Sequence, residues 1–257
     1  MRSKTMKNTI AGILFALGAV MLPLSASHAA TEDVVLQHAD IDVHNEQSLQ
    51  RGAKYFVNYC MGCHSLNFSR YNRIGLDMGL TDDQVADNLI FTRTDGEPTK
   101  VGELMKNGMT AKYGGEAFGT APPDLSLTGR SRGPDWIYSF LKSFYLDPSR
   151  PFGVNNTVFA NAGMPHVLWE LQGFQTLEHP AEGADSHAAP KLVLEQEGKV
   201  SPAEYDQVVR DLTNFLTYVG EPAQLHRRSV GFWVLLYLGL FAVFAYFLKK
   251  EYWKDVH

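Results

Sequence analysis

The stretch Cys60-Met61-Gly62-Cys63-His64 contains the only two cysteines of the chain, and a histidine directly follows the second one. This spacing is the attachment motif of a c-type haem. Two thiols at positions i and i+3 can each add to a vinyl group of one porphyrin, and the next imidazole can then bind the iron. The motif occurs once in 257 residues. The sequence therefore predicts one covalent haem c, held by Cys60 and Cys63, with His64 as the proximal iron ligand.

Two other uses of a cysteine pair fit the sequence less well. A thioredoxin-type redox disulfide lies between a strand and a helix, whereas a helical, tyrosine-rich run precedes Cys60. A structural zinc ion takes four cysteine or histidine ligands, and the chain has no second cysteine pair. Both alternatives are retained only as weaker hypotheses.

Apolar periodicity and capping residues predict a mainly α fold. Ser/Thr-x-x-Glu/Gln patterns at Thr81 and Ser201 are typical helix starts, and Gly220 with Pro222 is a typical helix end. Residues 192–200 are expected to form a short hairpin and residues 178–190 a surface loop. The predicted helices cover residues 48–60, 81–89, 136–144 and 201–220.

Both ends of the chain contain apolar segments. Residues 1–29 have a basic start, an apolar middle and the small residues Ser27-His28-Ala29, which together predict a secretory signal peptide cleaved after Ala29 or Ala30. From Val230 to Leu248 no residue is charged, and at about 1.5 Å per residue this length covers the hydrocarbon core of a bilayer. We therefore expect a periplasmic haem domain at 30–228, a transmembrane anchor at 229–248 and a cytoplasmic tail at 249–257.

The charge balance excludes one class of partner. The formal net charge is −5, and removal of Arg2, Lys4 and Lys7 with the signal peptide makes it −8. An acidic domain is unsuited to nucleic acid but attracts a basic protein partner.

The second axial ligand is less certain from the residues alone. A thioether ligand raises the reduction potential of an electron-transfer haem, and the candidate residues after the motif are Met78, Met105, Met109 and Met164. Met164 is favoured over Met109, since it lies in Gly163-Met164-Pro165, where glycine permits close backbone approach and proline stiffens the turn.

Over about residues 35–250 the chain resembles cytochrome c1, the haem subunit of the cytochrome bc1 complex (ubiquinol–cytochrome c reductase). The resemblance also includes the apolar segment near the C-terminus. The residues that carry it are Arg51-Gly52, Cys60 to Ser65, Ala121-Pro122-Pro123-Asp124-Leu125-Ser126, Arg130 to Gly133, Trp136-Ile137-Tyr138 and Gly163-Met164-Pro165.

The resemblance implies a role for each matching residue. His64 and Met164 become the axial iron ligands, and Cys60 and Cys63 the thioether anchors. Pro122 and Pro123 flank the haem. Arg132 is expected near a haem propionate, where a guanidinium can pair with a carboxylate.

The resemblance also implies a cytochrome c-like haem domain with long loops, an activity and a set of partners. We expect a subunit of the bacterial inner membrane that accepts an electron from a Rieske iron–sulfur protein and passes it to a cytochrome c, beside a cytochrome b subunit. No bond-making catalytic residue is expected on this chain. The alternatives are a free-standing anchored mono-haem cytochrome, an oxidase subunit and, less favoured, a periplasmic thiol oxidoreductase.

Overall fold

The computed structural model describes residues 34–94, 96–178 and 191–255. The predicted signal peptide at 1–29 and all but the first residue of the predicted loop at 178–190 lie outside these ranges. The expected mainly α class, with one apolar helix near the C-terminus, is confirmed. The helices are α1 (Glu46–Tyr55), α2 (Tyr71–Asp77), α3 (Asp82–Leu89), α4 (Ala111–Phe118), α5 (Thr128–Ser131), α6 (Pro134–Lys142), α7 (Trp169–Gln172), α8 (Pro202–Gly220) and α9 (Arg227–Tyr252).

The strands form short antiparallel pairs in the segments between helices. They are β1 (Leu66–Arg70), β2 (Arg93–Thr94), β3 (Glu97–Pro98), β4 (Leu104–Met105), β5 (Phe144–Leu146), β6 (Val154–Asn156), β7 (Gly173–Glu178) and β8 (Lys191–Glu197). The pairs are β1 with β4, β2 with β3, β5 with β6 and β7 with β8. Since each described sheet has only two strands, helix packing supplies most of the core.

The core is built where α1 crosses α8, and the closest point of this crossing is Gly52. A Cβ atom on Gly52 would lie 2.2 Å from the carbonyl oxygen of Asp211 and 2.6 Å from Cβ of Phe215. The missing side chain therefore lets the two backbones approach each other. The rings of Phe56 and Phe215 pack beside the crossing with their centroids 5.7 Å apart.

A buried carboxylate joins the same two helices. Asp211 is 1% exposed and accepts hydrogen bonds from Ser48 Oγ at 2.7 Å and Arg51 Nε at 2.6 Å. Gln207 Nε2 donates to the same carboxylate at 2.9 Å. A buried charge is tolerated only when it is paired and hydrogen-bonded in this way. The Arg51-Gly52 pair thus combines an ion pair with a close helix contact.

All four predicted helices are confirmed with small changes at their ends. Predicted helix 48–60 begins at Glu46, and its last turn is a π-helix. Helices α3 and α8 begin at the expected capping boxes of Thr81 and Ser201. The helix predicted near 136–144 is confirmed with a two-residue shift, because α6 runs from Pro134 to Lys142 and Phe144 already belongs to β5.

The predicted hairpin at 192–200 was wrong. Strand β8 pairs with β7, which lies before residues 179–190, so its partner is outside the predicted hairpin. Gly198 instead packs against the end of α7, where a Cβ atom would lie 2.1 Å from the carbonyl oxygen of Leu171. Residues 198–200 therefore lead into α8 and do not form a second strand.

Helix α9 has the dimensions of a membrane span. Its 26 residues extend over about 39 Å, and its apolar side chains are exposed. It is connected to α8 by residues 221–226, of which Pro222–Leu225 form a 3-10 turn. A salt bridge of 3.0 Å between Arg227 and Glu221 crosses this connection.

The close contact at Gly52 predicts the effect of a single methyl group. Gly52→Ala should lower the Tm by about 2–12 °C, because overpacking typically costs about 1–3 kcal/mol and each kcal/mol corresponds to about 2–4 °C at this chain length. Gly115→Ala is the control, since a Cβ atom there meets nothing within 4 Å in the middle of α4. Thermal unfolding in detergent, followed by circular dichroism, measures both. A Gly52→Ala protein as stable as the control would contradict the assigned contact.

Candidate functional site

The Cys-x-x-Cys-His motif begins at the end of α1, in a widened helical turn. Residues Phe56–Cys60 form a π-helix, in which the Met61 N–H donates to the Phe56 carbonyl at 2.9 Å. Such turns hold one extra residue and occur frequently at functional sites. The chain then reverses, since the His64 N–H donates to the Cys60 carbonyl at 2.9 Å. This local geometry brings both cysteines and the histidine to one cleft.

The cleft has a cavity volume of about 70 Å³. Its lining is mostly apolar, with a few polar groups. Six of the seven predicted site residues line it: Cys60, Cys63, His64, Pro122, Pro123 and Met164.

A backbone carbonyl orients the imidazole of His64. The ring is buried, and its Nδ1 lies 2.7 Å from the carbonyl oxygen of Pro123. The carbonyl can only accept, so Nδ1 carries the proton and Nε2 remains available to a metal ion. Burial lowers the pKa of His64, although the bond to Pro123 acts in the opposite direction. The neutral ring is the form that binds a metal ion.

The run Pro122 to Ser126 is held along the residues that follow the motif. The Asn67 N–H donates to the Asp124 carboxylate at 2.8 Å, and the Phe68 N–H donates to Ser126 Oγ at 3.2 Å. The Leu125 N–H donates to the Ser65 carbonyl at 3.0 Å. These bonds fix the Pro123 carbonyl opposite His64. Helix α4 supports Pro122 from behind, because a Cβ atom on Gly114 would lie 2.6 Å from the Pro122 ring.

The two cysteines are free thiols in different environments. Cys60 is buried and Cys63 half-buried. Burial, with a smaller contribution from Cys63, raises the pKa of the Cys60 thiol to about 12. The cysteines of thiol oxidoreductases have lowered pKa values in electropositive surroundings. The environment of Cys60 is therefore the opposite of the one that thiol–disulfide exchange requires.

The four candidate methionines occupy different places. Met78 and Met105 are fully buried in the core. Met109 packs at α4, with its sulfur 3.4 Å from the position of a Cβ atom on Gly114. Of the four, Met164 lines the cleft.

Arg132 is the predicted site residue that does not line the cleft. It is exposed and caps the C-terminus of α5. Its guanidinium carbon lies 5.1 Å from the centre of the Trp136 ring, which is a cation–π contact. The propionate role of Arg132 therefore remains a prediction.

Sequence reasoning did not predict several residues of the lining. Gly163 and Pro165 were recognised only as the setting of Met164, and Tyr59 only as part of a helix. Phe118 and Thr120 had no signal, because neither residue belongs to a motif and Thr120 lies just after the end of α4. The additional lining residues are Tyr59, Phe118, Thr120, Gly163, Pro165 and Val167.

The donor set fits a covalent haem. Two thiols and an imidazole with a fixed tautomer lie on one sequence motif, and a thioether from a distant segment lines the same apolar cleft. Imidazole and thioether are the axial pair that raises a haem potential and is typical of c-type cytochromes. The cofactor would be bound by Cys60, Cys63, His64 and Met164.

Comparison with known proteins supports this conclusion. Residues 37–256 match the Cytochrome C1 family. A cytochrome c1 from Allochromatium vinosum is 52% identical over 226 residues, which cover 86% of this chain and 90% of that protein. A Nitrosomonas europaea protein named ammonia monooxygenase gamma subunit is 44% identical over 245 residues, covering 95% and 99%. A cytochrome c1 from Rhodospirillum rubrum is 27% identical over 231 residues, covering 83% of each.

The resemblance drawn from the motifs is thereby confirmed. It extends from before α1 to the end of α9, so it includes the cleft and the apolar helix alike. The chain belongs to the cytochrome c1 family, whose members carry a covalently bound c-type haem and act as the membrane-anchored electron-transfer subunit of bc1-type complexes.

Proposed function

We propose that this chain accepts one electron from a Rieske iron–sulfur protein and passes it to a cytochrome c within a ubiquinol–cytochrome c reductase. The observation that carries the proposal is the apolar cleft lined by Cys60, Cys63, His64 and Met164. When bound, the haem supplies a one-electron Fe(III)/Fe(II) couple. The residues of the chain bury it, fix its ligands and exclude water.

The proposed ligand set assigns one role to each residue of the cleft. Cys60 and Cys63 would hold the haem through thioether bonds, and His64 and Met164 would bind its iron. The Pro123 carbonyl keeps the proton on Nδ1 of His64, so Nε2 is the ligand atom. Pro122 and Pro123 flank the ring and, because they lack N–H groups, add no unpaired donor to an apolar wall.

Arg132 is proposed to face a haem propionate. A guanidinium pairs well with a carboxylate, and the exposed position of Arg132 leaves its charge accessible. The cation–π contact with Trp136 holds the side chain in place.

The proposed topology follows from the predicted signal peptide, because basic residues flank the anchor on both sides. A cleaved signal peptide at 1–29 directs the domain at 30–228 to the periplasm, the anchor at 229–248 spans the bacterial inner membrane, and the tail at 249–257 stays in the cytoplasm. The lysines at 249 and 250 agree with a cytoplasmic tail, while Arg227 and Arg228 lie on the other side of the anchor. Helix α9 begins two residues before the proposed anchor and ends four residues after it.

The proposed partners follow from the anchor and the charge. Helix α9 would pack beside a cytochrome b subunit and lipid, and the acidic domain would attract a basic cytochrome c. The alternatives are a free-standing cytochrome or an oxidase subunit. The thiol oxidoreductase alternative is weakened by the buried Cys60.

The ligand assignment predicts opposite results for two methionine variants. Met164→Leu should abolish the methionine-ligated low-spin spectrum and lower the reduction potential by on the order of a tenth of a volt or more, because axial ligands set haem potentials over about 0.8 V. Met109→Leu should change neither property, because Met109 packs against α4. Optical redox titration of both proteins measures the effect. A normal spectrum in Met164→Leu, with a large change in Met109→Leu, would identify Met109 as the ligand.

The propionate assignment predicts a smaller change. Arg132→Ala removes a positive charge beside the haem and should lower the potential by up to about 40 mV, because an exposed ion pair contributes little and 59 mV corresponds to a tenfold change for one electron. Arg130→Ala is the matched control, since Arg130 is also exposed. Equal potentials in the two variants would remove the propionate role.

The subunits that co-purify with the chain test whether it belongs to a ubiquinol–cytochrome c reductase. Purification in mild detergent should yield the chain together with a di-haem cytochrome b and a Rieske protein, with quinol–cytochrome c reductase activity. Isolation of a solitary cytochrome would support the free-standing alternative. Co-purification with a monooxygenase, as the name of the Nitrosomonas europaea relative indicates for that protein, would contradict the proposed complex.

A further inference from the structure

We infer that the β5–β6 hairpin positions the sulfur ligand by holding the chain on both sides of Met164. Asn155 and Asn156 hold the segment before the methionine, and Phe144 holds His166 after it. Phe144 and Asn156 are direct cross-strand partners in this hairpin. The inference depends on the proposed ligation by Met164 and assigns positioning roles to residues that do not line the cleft.

The segment before Met164 is fixed at Asn161. Asn155 is 8% exposed, and its Oδ1 accepts hydrogen bonds from the N–H groups of Asn156 at 2.9 Å and Asn161 at 2.8 Å. Its Nδ2 donates to Asp147 at 2.9 Å, which fixes the orientation of the amide. Asn161 has a φ of +61°, a left-handed conformation that asparagine tolerates better than most residues. Arg150 donates to the Asn161 carbonyl at 3.3 Å, so the N–H and the carbonyl of Asn161 are both hydrogen-bonded.

Asn156 holds the preceding turn in the same manner. It is 1% exposed, and its Oδ1 accepts from the N–H groups of Val158 at 2.9 Å and Phe159 at 3.0 Å. Its Nδ2 donates to the Phe140 carbonyl at 2.8 Å, which ties the turn to helix α6. Two adjacent buried amides therefore determine the path of the chain from β6 to the methionine.

The segment after Met164 is held by ring stacking. The imidazole of His166 is 5% exposed and lies parallel to the Phe144 ring, with centroids 5.0 Å apart and planes 7° apart. Phe144 is itself 1% exposed and packs edge-on against Phe140 at 5.2 Å. Phe140 in turn stacks on Trp136 at 5.0 Å. This row of rings gives the residue two positions after Met164 a rigid support.

A methionine ligand needs such support because its side chain has three rotatable bonds and adapts to irregular gaps. The sulfur of so flexible a side chain stays at one point only if the backbone that carries it is also held in place. First-coordination-sphere groups function only when the surrounding residues hold them within about 0.5 Å. Held at Asn161 and at His166, the short segment between them has little freedom to withdraw Met164 from the cleft.

The test uses the assembled, haem-containing complex and the variant Asn155→Leu. We expect loss of the methionine-to-iron charge-transfer band, a lower reduction potential and carbon monoxide binding by the reduced haem, because the sulfur is no longer held. The control is Asn214→Leu, which removes another buried amide that bonds Asp42 and Ser48 instead. The control should lower the Tm and leave these three haem properties unchanged.

A double variant tests rescue. Adding Asp147→Asn to Asn155→Leu should leave the haem without its methionine ligand. The double variant Asp147→Asn with Asn155→Asp should instead have the methionine ligation of the unaltered protein. The second combination exchanges donor and acceptor across the 2.9 Å contact and retains an oxygen for the Asn161 N–H. The inference would be overturned if Asn155→Leu had a lowered Tm but kept the charge-transfer band and the reduction potential and did not bind carbon monoxide.

A second pair of variants keeps the inference testable if Asn155→Leu does not accumulate. Asn161→Val introduces a β-branched residue that disfavours positive φ and should weaken methionine ligation, whereas Asn161→Gly should retain it. Equal haem properties in the two variants would overturn the inference. Met164→Leu is measured in parallel: an unchanged spectrum there refutes the ligand itself, while a changed spectrum with normal asparagine variants refutes only the role of the hairpin.

Discussion

The hydrogen bond between His64 Nδ1 and the Pro123 carbonyl is the interaction on which the site depends. It selects the tautomer of the imidazole and sets the orientation of the ring. Because the acceptor is a backbone atom, its position depends on the fold of the Pro122 to Ser126 run. That run is in turn fixed by bonds to residues just after the motif. The proximal half of the site is therefore a compact unit of two chain segments.

The distal half of the site is assembled differently. Met164 lies in a segment whose path is set by the β5–β6 hairpin, and the hairpin is attached to helix α6 through Phe140. Helix α6 packs on α8, as does α1 with the haem-attachment motif. The long helix α8 is thus the common scaffold that relates the two halves of the cleft. The close crossing at Gly52 keeps the proximal half against that scaffold.

Sequence reasoning succeeded where the determining interactions are local. Capping boxes at Thr81 and Ser201 specify helix starts within four residues, and both helices begin there. The haem motif is equally local, so Cys60, Cys63 and His64 could be read directly. The hairpin error at 192–200 arose because the true partner of β8 is β7, which precedes residues 179–190, and pairing of separated segments leaves no pattern in either one.

The second ligand illustrates the same limit. The residues favoured Met164 over Met109 only through its glycine and proline neighbours, since neither methionine lies in a motif of its own. The structure adds that Met109 packs near Gly114 and that Met164 lines the cleft. The role of Pro123 had no residue signature either, because any residue supplies a carbonyl. Short helices such as α5 and α7 have too few turns to produce a detectable period.

The short connection between α8 and α9 has a consequence for how redox partners meet this domain. Residues 221–226 could reach about 20 Å if fully extended, and four of them are already wound into a 3-10 turn. Because α8 is also the central helix of the domain, the short connection at residues 221–226 restricts how far the haem can move from the bilayer surface. Electron delivery and removal then depend on diffusion or reorientation of the partner molecules toward a nearly stationary haem.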